Sequence, residues 1–289
     1  MNGVLPVEKP EGPTSHDVVA IARRALRTRR IGHTGTLDPF ASGLLLLCMG
    51  PATRLAEYLT ALPKSYRATL RLGEATDTDD LKGEILQRTE AWRDLTEAEV
   101  RSALEQQSGT IEQLPPLYSA KKVEGERMYA AARRGERPER TPVQITVNRI
   151  ELLAFSSPEV EFEVDCSSGT YIRAIARDVG EALGVGAHLR TLRRTRIGEH
   201  TVESALSIES LEEGERVQRA MLTPLQAIRH LHRVTVEEAS IGVVRHGGAI
   251  SAPQELADGA PVALASAAGD LLAIAESRGG SLQPRKVFA

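Results

Sequence analysis

Cysteine is nearly missing from this chain of 289 residues: only Cys48 and Cys166 occur, far apart and in no paired spacing. That argues against a disulfide framework and against a thiolate metal site, and leaves both as small buried hydrophobes. The seven histidines are scattered, and the one close-set pair, His230-x-His232, has no cysteine or carboxylate companion, so no metal site is expected. Long apolar runs are absent too. The longest, Leu44 to Met49, is six residues, where a membrane-spanning helix needs about twenty. Met1–Gly12 reads as folded sequence, not as a basic and apolar leader, which places the chain in the cytoplasm with no membrane partner. Aromatic residues number ten, and no internal repeat or low-complexity linker interrupts the chain.

What is present describes a globular protein, 41% hydrophobic and 26% charged, long enough for one large domain and one small one. Val4, Leu5 and Val7 suggest an opening strand, stopped by Lys9-Pro10-Glu11-Gly12-Pro13. A helix follows, capped by Thr14 or Ser15, with Val18, Ile21, Ala22 and Ala25 at helical spacing. Tyr66, Ala68, Leu70 and Leu72 alternate as in a half-buried strand, and Thr96 to Glu99 is a capping box opening a helix through about Gln107. Val160, Phe162, Val164 and Cys166 alternate with acidic residues, after which Tyr171 to Leu183 switch to helical period. Strands and helices mix without a strict βαβ rhythm, which predicts an α+β fold with a mixed, largely antiparallel sheet. After His232 short apolar runs sit between Gly, Pro, Asp and Ser, so residues 233–289 read as a small β-rich domain following a body of residues 1–232.

The net charge of −3 hides a pattern. Lys and Arg exceed Asp and Glu by five over residues 1–72 and by four over both 116–149 and 173–196, while the stretches between are acidic. Brought to one face, these islands would make a phosphate-binding surface; dispersed, they are an ordinary mixed surface.

Three stretches could carry chemistry. Gly32-His33-Thr-Gly-Thr-Leu-Asp38-Pro-Phe-Ala-Ser-Gly43 is an irregular loop before the apolar run, with Asp38 its only carboxylate. No Gly-Lys-Ser/Thr follows, so it is not a nucleoside triphosphate cradle. By itself Asp38 before Pro39 is a turn residue. In Ser168-Gly-Thr-Tyr171-Ile-Arg173 a strand passes into a helix, and Arg173 there is either solvated or paired with a carboxylate. Tyr66, near Lys64, Arg67 and Arg71, is either a stacking platform for an unstacked base or a core residue.

Together these strings resemble the TruB family of tRNA pseudouridine synthases. The Asp38 loop resembles that family's catalytic motif and Glu8-Lys9-Pro10-x-Gly12 its opening motif, usually written with Asp before Lys. Lys64-Ser65-Tyr66, the Pro115 to Lys122 segment, Gly169 to Arg173, Gly186 to Arg194 and Leu282 to Phe288 follow in the family's order. The resemblance implies a pseudouridine synthase catalytic domain with a PUA-like C-terminal domain. It also implies isomerisation of uridine 55 in the T loop of tRNA to pseudouridine, without cofactor, metal or obligate protein partner. On this reading Asp38 is the nucleophile, Arg173 holds it ionised, and Tyr66 stacks on the base and assists proton removal. His33 fills the space of the flipped base, Tyr171 and Leu192 line its pocket, and the segment 116–140, with Lys121, Lys122, Arg127, Arg133, Arg134, Arg137 and Arg140, closes over the stem-loop. Three other readings share the RNA: a tRNA-folding chaperone with incidental activity, a guide-RNA-dependent synthase, and a non-enzymatic RNA-binding protein.

Overall fold

A computed structural model of the chain describes residues 1–118, 122–123, 126–127, 140–253 and 256–288, the two short pairs by backbone alone. The opening alternation forms β1 (Gly3–Lys9). Thr14 caps α1 (Ser15–Ala25) in a reciprocal box with Asp17, and Val18, Val19 and Ala22 make its buried stripe. β2 (Ile31–His33) pairs antiparallel with β3 (Ser42–Met49), the apolar run. The short α2 (Ala56–Thr60) leads into β4 (Lys64–Leu72), where Tyr66, Ala68, Leu70 and Leu72 all face inward. A hairpin of β5 (Glu74–Thr76) and β6 (Ile85–Arg88) precedes α3 (Glu97–Glu105), which opens on the Thr96 box and ends slightly short of Gln107. Then come β7 (Gly109–Gln113), the two-residue β8 (Lys122–Val123) and β9 (Glu126–Arg127), β10 (Val143–Ser156) and β11 (Glu159–Cys166). α4 (Ile172–Ala182), β12 (Ala187–Ile197) and the short β13 (His200–Thr201) that pairs back on it complete the larger part of the body.

The main sheet runs β14-β1-β3-β12-β4-β11-β10-β7, with β14 (Leu206–Ser207) added beside β1. Only the β1/β14 and β3/β12 pairs on this path are parallel, so the sheet is mixed and mostly antiparallel, as the sequence pattern predicts. β3 explains why its sequence is apolar without alternation. Leu45, Leu47 and Met49 pack with α1 on one face, while Leu44, Leu46 and Cys48 pack on the other against Ala263, Ile274 and Phe288. A strand covered on both faces has no solvent side to mark with polar residues. Cys48 and Cys166 are both free and fully buried, as expected from their isolation.

The C-terminal residues from His232 form a five-stranded sheet. One of its faces has a cluster of its own, including Val234, Val262, Leu264, Leu272 and Leu282, and the other closes over β3. Among the described residues no helix is long and apolar enough to cross a membrane.

Candidate active site

Asp38 sits in a loop pinned from below. Its carbonyl accepts from the Ala41 N–H at 3.1 Å, so the Asp-Pro pair does start a turn. Lys9, at the end of β1 and fully buried, donates from Nζ to the carbonyls of Ala41 (2.6 Å), Pro10 (2.8 Å) and Pro39 (3.3 Å). The Gly12 N–H also reaches the Pro39 carbonyl at 2.7 Å, and Ser15 Oγ both donates to and accepts from the Leu37 backbone. Burial pushes the Lys9 amine down to about 8, against the pull of Asp38. The turn is therefore rigid, and it aims one carboxylate.

That carboxylate meets Arg173, the second residue of α4. Nε lies 3.0 Å from Asp38 Oδ2 and Nη2 donates to Oδ1 at 3.4 Å, a side-on fork. The rest of the guanidinium is spoken for: Nη1 donates to the Thr78 carbonyl (2.9 Å) and Asp80 Oδ2 (3.3 Å), and Nη2 to the Tyr118 carbonyl (2.9 Å). The Arg173 side chain is 6% exposed and that of Asp38 is 35% exposed, so the acid alone opens to solvent. Burial raises the Asp38 carboxyl above its usual value and Asp80 adds to this, while Arg173 and Lys9 pull it back. The fork offsets part of what desolvation costs the ionised acid.

Opposite Asp38 the sheet register assembles a second pair. Arg194 on β12 lies across from Tyr66 on β4 and beside Gly43 on β3. Its side chain is buried, with Nε donating to the Leu44 carbonyl at 2.8 Å and Nη2 to the Gly35 carbonyl at 3.1 Å, and its charge acts on the nearby Tyr66 hydroxyl. Gly43 has φ +104°, and a Cβ there would sit 2.3 Å from the Arg194 carbonyl oxygen, so only glycine lets β12 approach. Burial raises the Tyr66 hydroxyl above the ordinary phenol value despite Arg194, which keeps it neutral.

Asp38, Tyr66, Tyr171, Arg173, Leu192 and Arg194 line one cleft of about 580 Å³, together with Gly35 and Lys64. Tyr171 caps α4 and is gripped by Gln113, whose Oε1 accepts its N–H at 2.8 Å and whose Nε2 donates to its carbonyl at 3.0 Å. His33 does not line this cleft; its ring stacks edge-on against His16 at 5.2 Å, and its buried Nδ1 has no hydrogen-bond partner among the described residues. Lys121, Lys122, Arg127, Arg133, Arg134 and Arg137 lie outside the residues whose side chains are described. Arg140 donates to the Pro115 carbonyl at 3.3 Å. A larger cavity, about 950 Å³, opens elsewhere around His200, Leu225 and Arg233 and holds none of these groups.

Sequence reasoning missed three members. Asp80 counted only as part of an acidic stretch, and Lys9 only as a motif letter. Arg194 stands in the sequence only inside the 173–196 basic island and at the end of the Gly186 to Arg194 string. Alternation along β12 carries the missing signal, since position 194 shares the inward face of Leu192. On the same strand Arg190, Arg193 and Arg196 are ion-paired with Glu159, Glu8 and Asp165.

The profile of the TruB family pseudouridylate synthase N-terminal domain matches residues 23–172, and that of the tRNA pseudouridylate synthase B C-terminal domain matches residues 173–237. The chain is 45% identical over 296 residues to tRNA pseudouridine synthase B of Thermobifida fusca (strain YX), covering 100% of this chain and 99% of that one. It is 46% identical to tRNA pseudouridine synthase B of Symbiobacterium thermophilum over 250 residues, 86% of this chain and 82% of that one. In structure it is similar to a chain of an H/ACA ribonucleoprotein bound to a substrate RNA containing 2′-deoxyuridine, at 26% identity and TM-score 0.76, covering 99% of this chain and 85% of that one. With these matches running from end to end, the chain belongs to the TruB family of pseudouridylate synthases.

Proposed function

We propose that this protein isomerises a uridine of tRNA to pseudouridine, the target being uridine 55 in the T loop. The observation that carries the reading is one carboxylate, Asp38, aimed into a cleft by a buried arginine with an aromatic residue across from it. The reaction breaks the bond between C1′ and N1, turns the base and joins C1′ to C5; C5 gives up its proton and the freed N1 takes one up, so no atom is gained or lost. Asp38 acts at C1′, where positive charge develops, by adding covalently or by stabilising that charge. Arg173 supports the ionised form of Asp38. Tyr66 stacks on the flipped base, and its hydroxyl, close to the Arg194 charge, assists proton transfer. Tyr171 and Leu192 wall the base pocket. His33, two residues before Gly35 of the cleft lining and with no partner for Nδ1 among the described residues, takes the place the base leaves in the RNA.

A guide-dependent enzyme is the second reading, favoured by the likeness to the H/ACA chain. The 45% identity to a tRNA pseudouridine synthase B over the whole chain supports the stand-alone enzyme instead. Incubation of purified protein with an unmodified tRNA transcript, then carbodiimide-based mapping, distinguishes them. Pseudouridine at position 55 without any guide RNA is the expected outcome; modification only when guide RNA is added overturns it.

A further inference from the structure

Arg173 has a twin. One helical turn further along α4, Arg177 points to the same side, because residues four apart share a helix face. The two arginines repeat one pattern on adjacent partners. Arg173 takes Asp80 and the carbonyl of Tyr118, while Arg177 takes Asp79 (Nη1 to Oδ2, 3.1 Å) and the carbonyl of Leu114 (Nη2, 2.9 Å). The remaining donor of Arg177, Nε, reaches the neighbouring Asp178 Oδ1 at 2.9 Å. Both the Arg177 and Asp79 side chains are largely buried, at 14% and 12% exposed.

Such a pair is not needed for stability: replacing a buried ion pair by apolar side chains is often neutral or favourable. Asp79 also holds a left-handed backbone, φ +60°, which a residue other than glycine adopts at a cost. That turn is tied to β12 in both directions, the Leu189 N–H donating to the Asp79 carbonyl at 3.0 Å and the Leu81 N–H to the Leu189 carbonyl at 2.9 Å. Arg177 therefore staples together a fixed turn, a helix and the start of the segment 114–118.

We infer that Arg177 and Asp79 form a positioning pair, which sets the 114–118 segment so that the Tyr118 carbonyl orients Arg173 on Asp38. The pair touches neither substrate nor Asp38 and acts only through Arg173. The inference rests on Asp38 being the reacting carboxylate. Its test is single-turnover pseudouridine formation at saturating tRNA for Arg177→Met, Asp79→Asn and the double variant, with tRNA Kd and Tm measured in parallel. Methionine keeps much of the packed stem, and asparagine tolerates the left-handed backbone.

Each single variant should lose about tenfold or more in rate, with Kd within threefold of the parent, and the double variant should be no slower than the worse single one. Asp79→Asn decides alone should Arg177→Met fail to fold. Rates within twofold of the parent overturn the inference. So do losses that multiply in the double variant, or losses matched by weakened RNA binding. An Asp38→Asn control separates the two failures: activity there removes the underlying reading, whereas an inactive control beside active Arg177 and Asp79 variants removes only this inference.

Discussion

A half-open carboxylate beside a second one, Asp80, is chemically useful and structurally unfavourable at once. Because the folded chain raises the Asp38 carboxyl, the folded state holds a proton there over the pH range between the ordinary Asp value and the raised one, where the unfolded state has already lost it. The stability associated with that proton is present below the ordinary Asp range and is lost as pH rises through the folded value. Asp38→Asn should thus lower turnover more than about 10³-fold while leaving tRNA affinity within several-fold, since phosphate contacts supply most of it. Its Tm should equal or exceed that of the parent at pH 7, and the gain should shrink as the pH approaches 4. A Tm several degrees lower at pH 7 would contradict the raised carboxyl. Tyr66→Phe isolates another atom. The ring remains and the hydroxyl goes, so tRNA should bind as before and turnover should fall about 10²-fold or more. Full activity in Phe beside loss in Leu would reduce Tyr66 to stacking alone.

Strand β12 shows how elements turn sequence into a site. It brings Leu192 and Arg194 inward between β3 and β4, and Gly43 is the contact that permits it. Gly43→Ala should destabilise the fold by roughly 1–3 kcal/mol from backbone strain alone, with a further loss as Arg194 is displaced from Tyr66. A melting curve and a turnover assay check this together; an unchanged Tm would mean the strands can separate freely. Much of the site was legible for local reasons. Asp38 and Arg173 stand in short strings whose Gly and Pro content marks irregular backbone, and Tyr66 stands in a clean alternation. Asp80 and Arg177 were not, because what they do depends on partners nearly a hundred residues away in the chain. β3 was readable as buried, yet nothing in a uniformly apolar run says which face meets the C-terminal sheet. His33 resembled its family position by motif alone, and its edge contact with His16 is a matter of tertiary packing.

Charge behaves differently across the molecule than along the chain. Arg23, Arg24, Arg27, Arg29 and Arg30 are exposed and form no ion pair among the described residues, whereas Arg190, Arg193 and Arg196 are neutralised by neighbours. The unneutralised cluster is where counterion release should originate. Arg24→Gln with Arg29→Gln should flatten the dependence of log affinity on log salt by about 1–2, while Arg190→Gln with Arg216→Gln should change it little. Filter binding across a salt series reads both, and equal slopes in the two double variants would discard the assignment. The position of β12 has a different consequence, one of timing. β1, β2 and β3 can pair early, and β4, β7, β10 and β11 can assemble on their own, but nothing joins the two halves until β12 has been made. At the usual pace of translation, roughly 5–20 residues per second, β4 waits on the order of ten seconds for its second neighbour. Over that interval β4 has a bare edge along its length, and β3 one at Ser42–Gly43, on a chain still attached to the ribosome. A nascent chain halted before residue 187 should therefore be captured by chaperones and devoid of activity, and one released past residue 197 should zip shut and acquire its cleft in a single step.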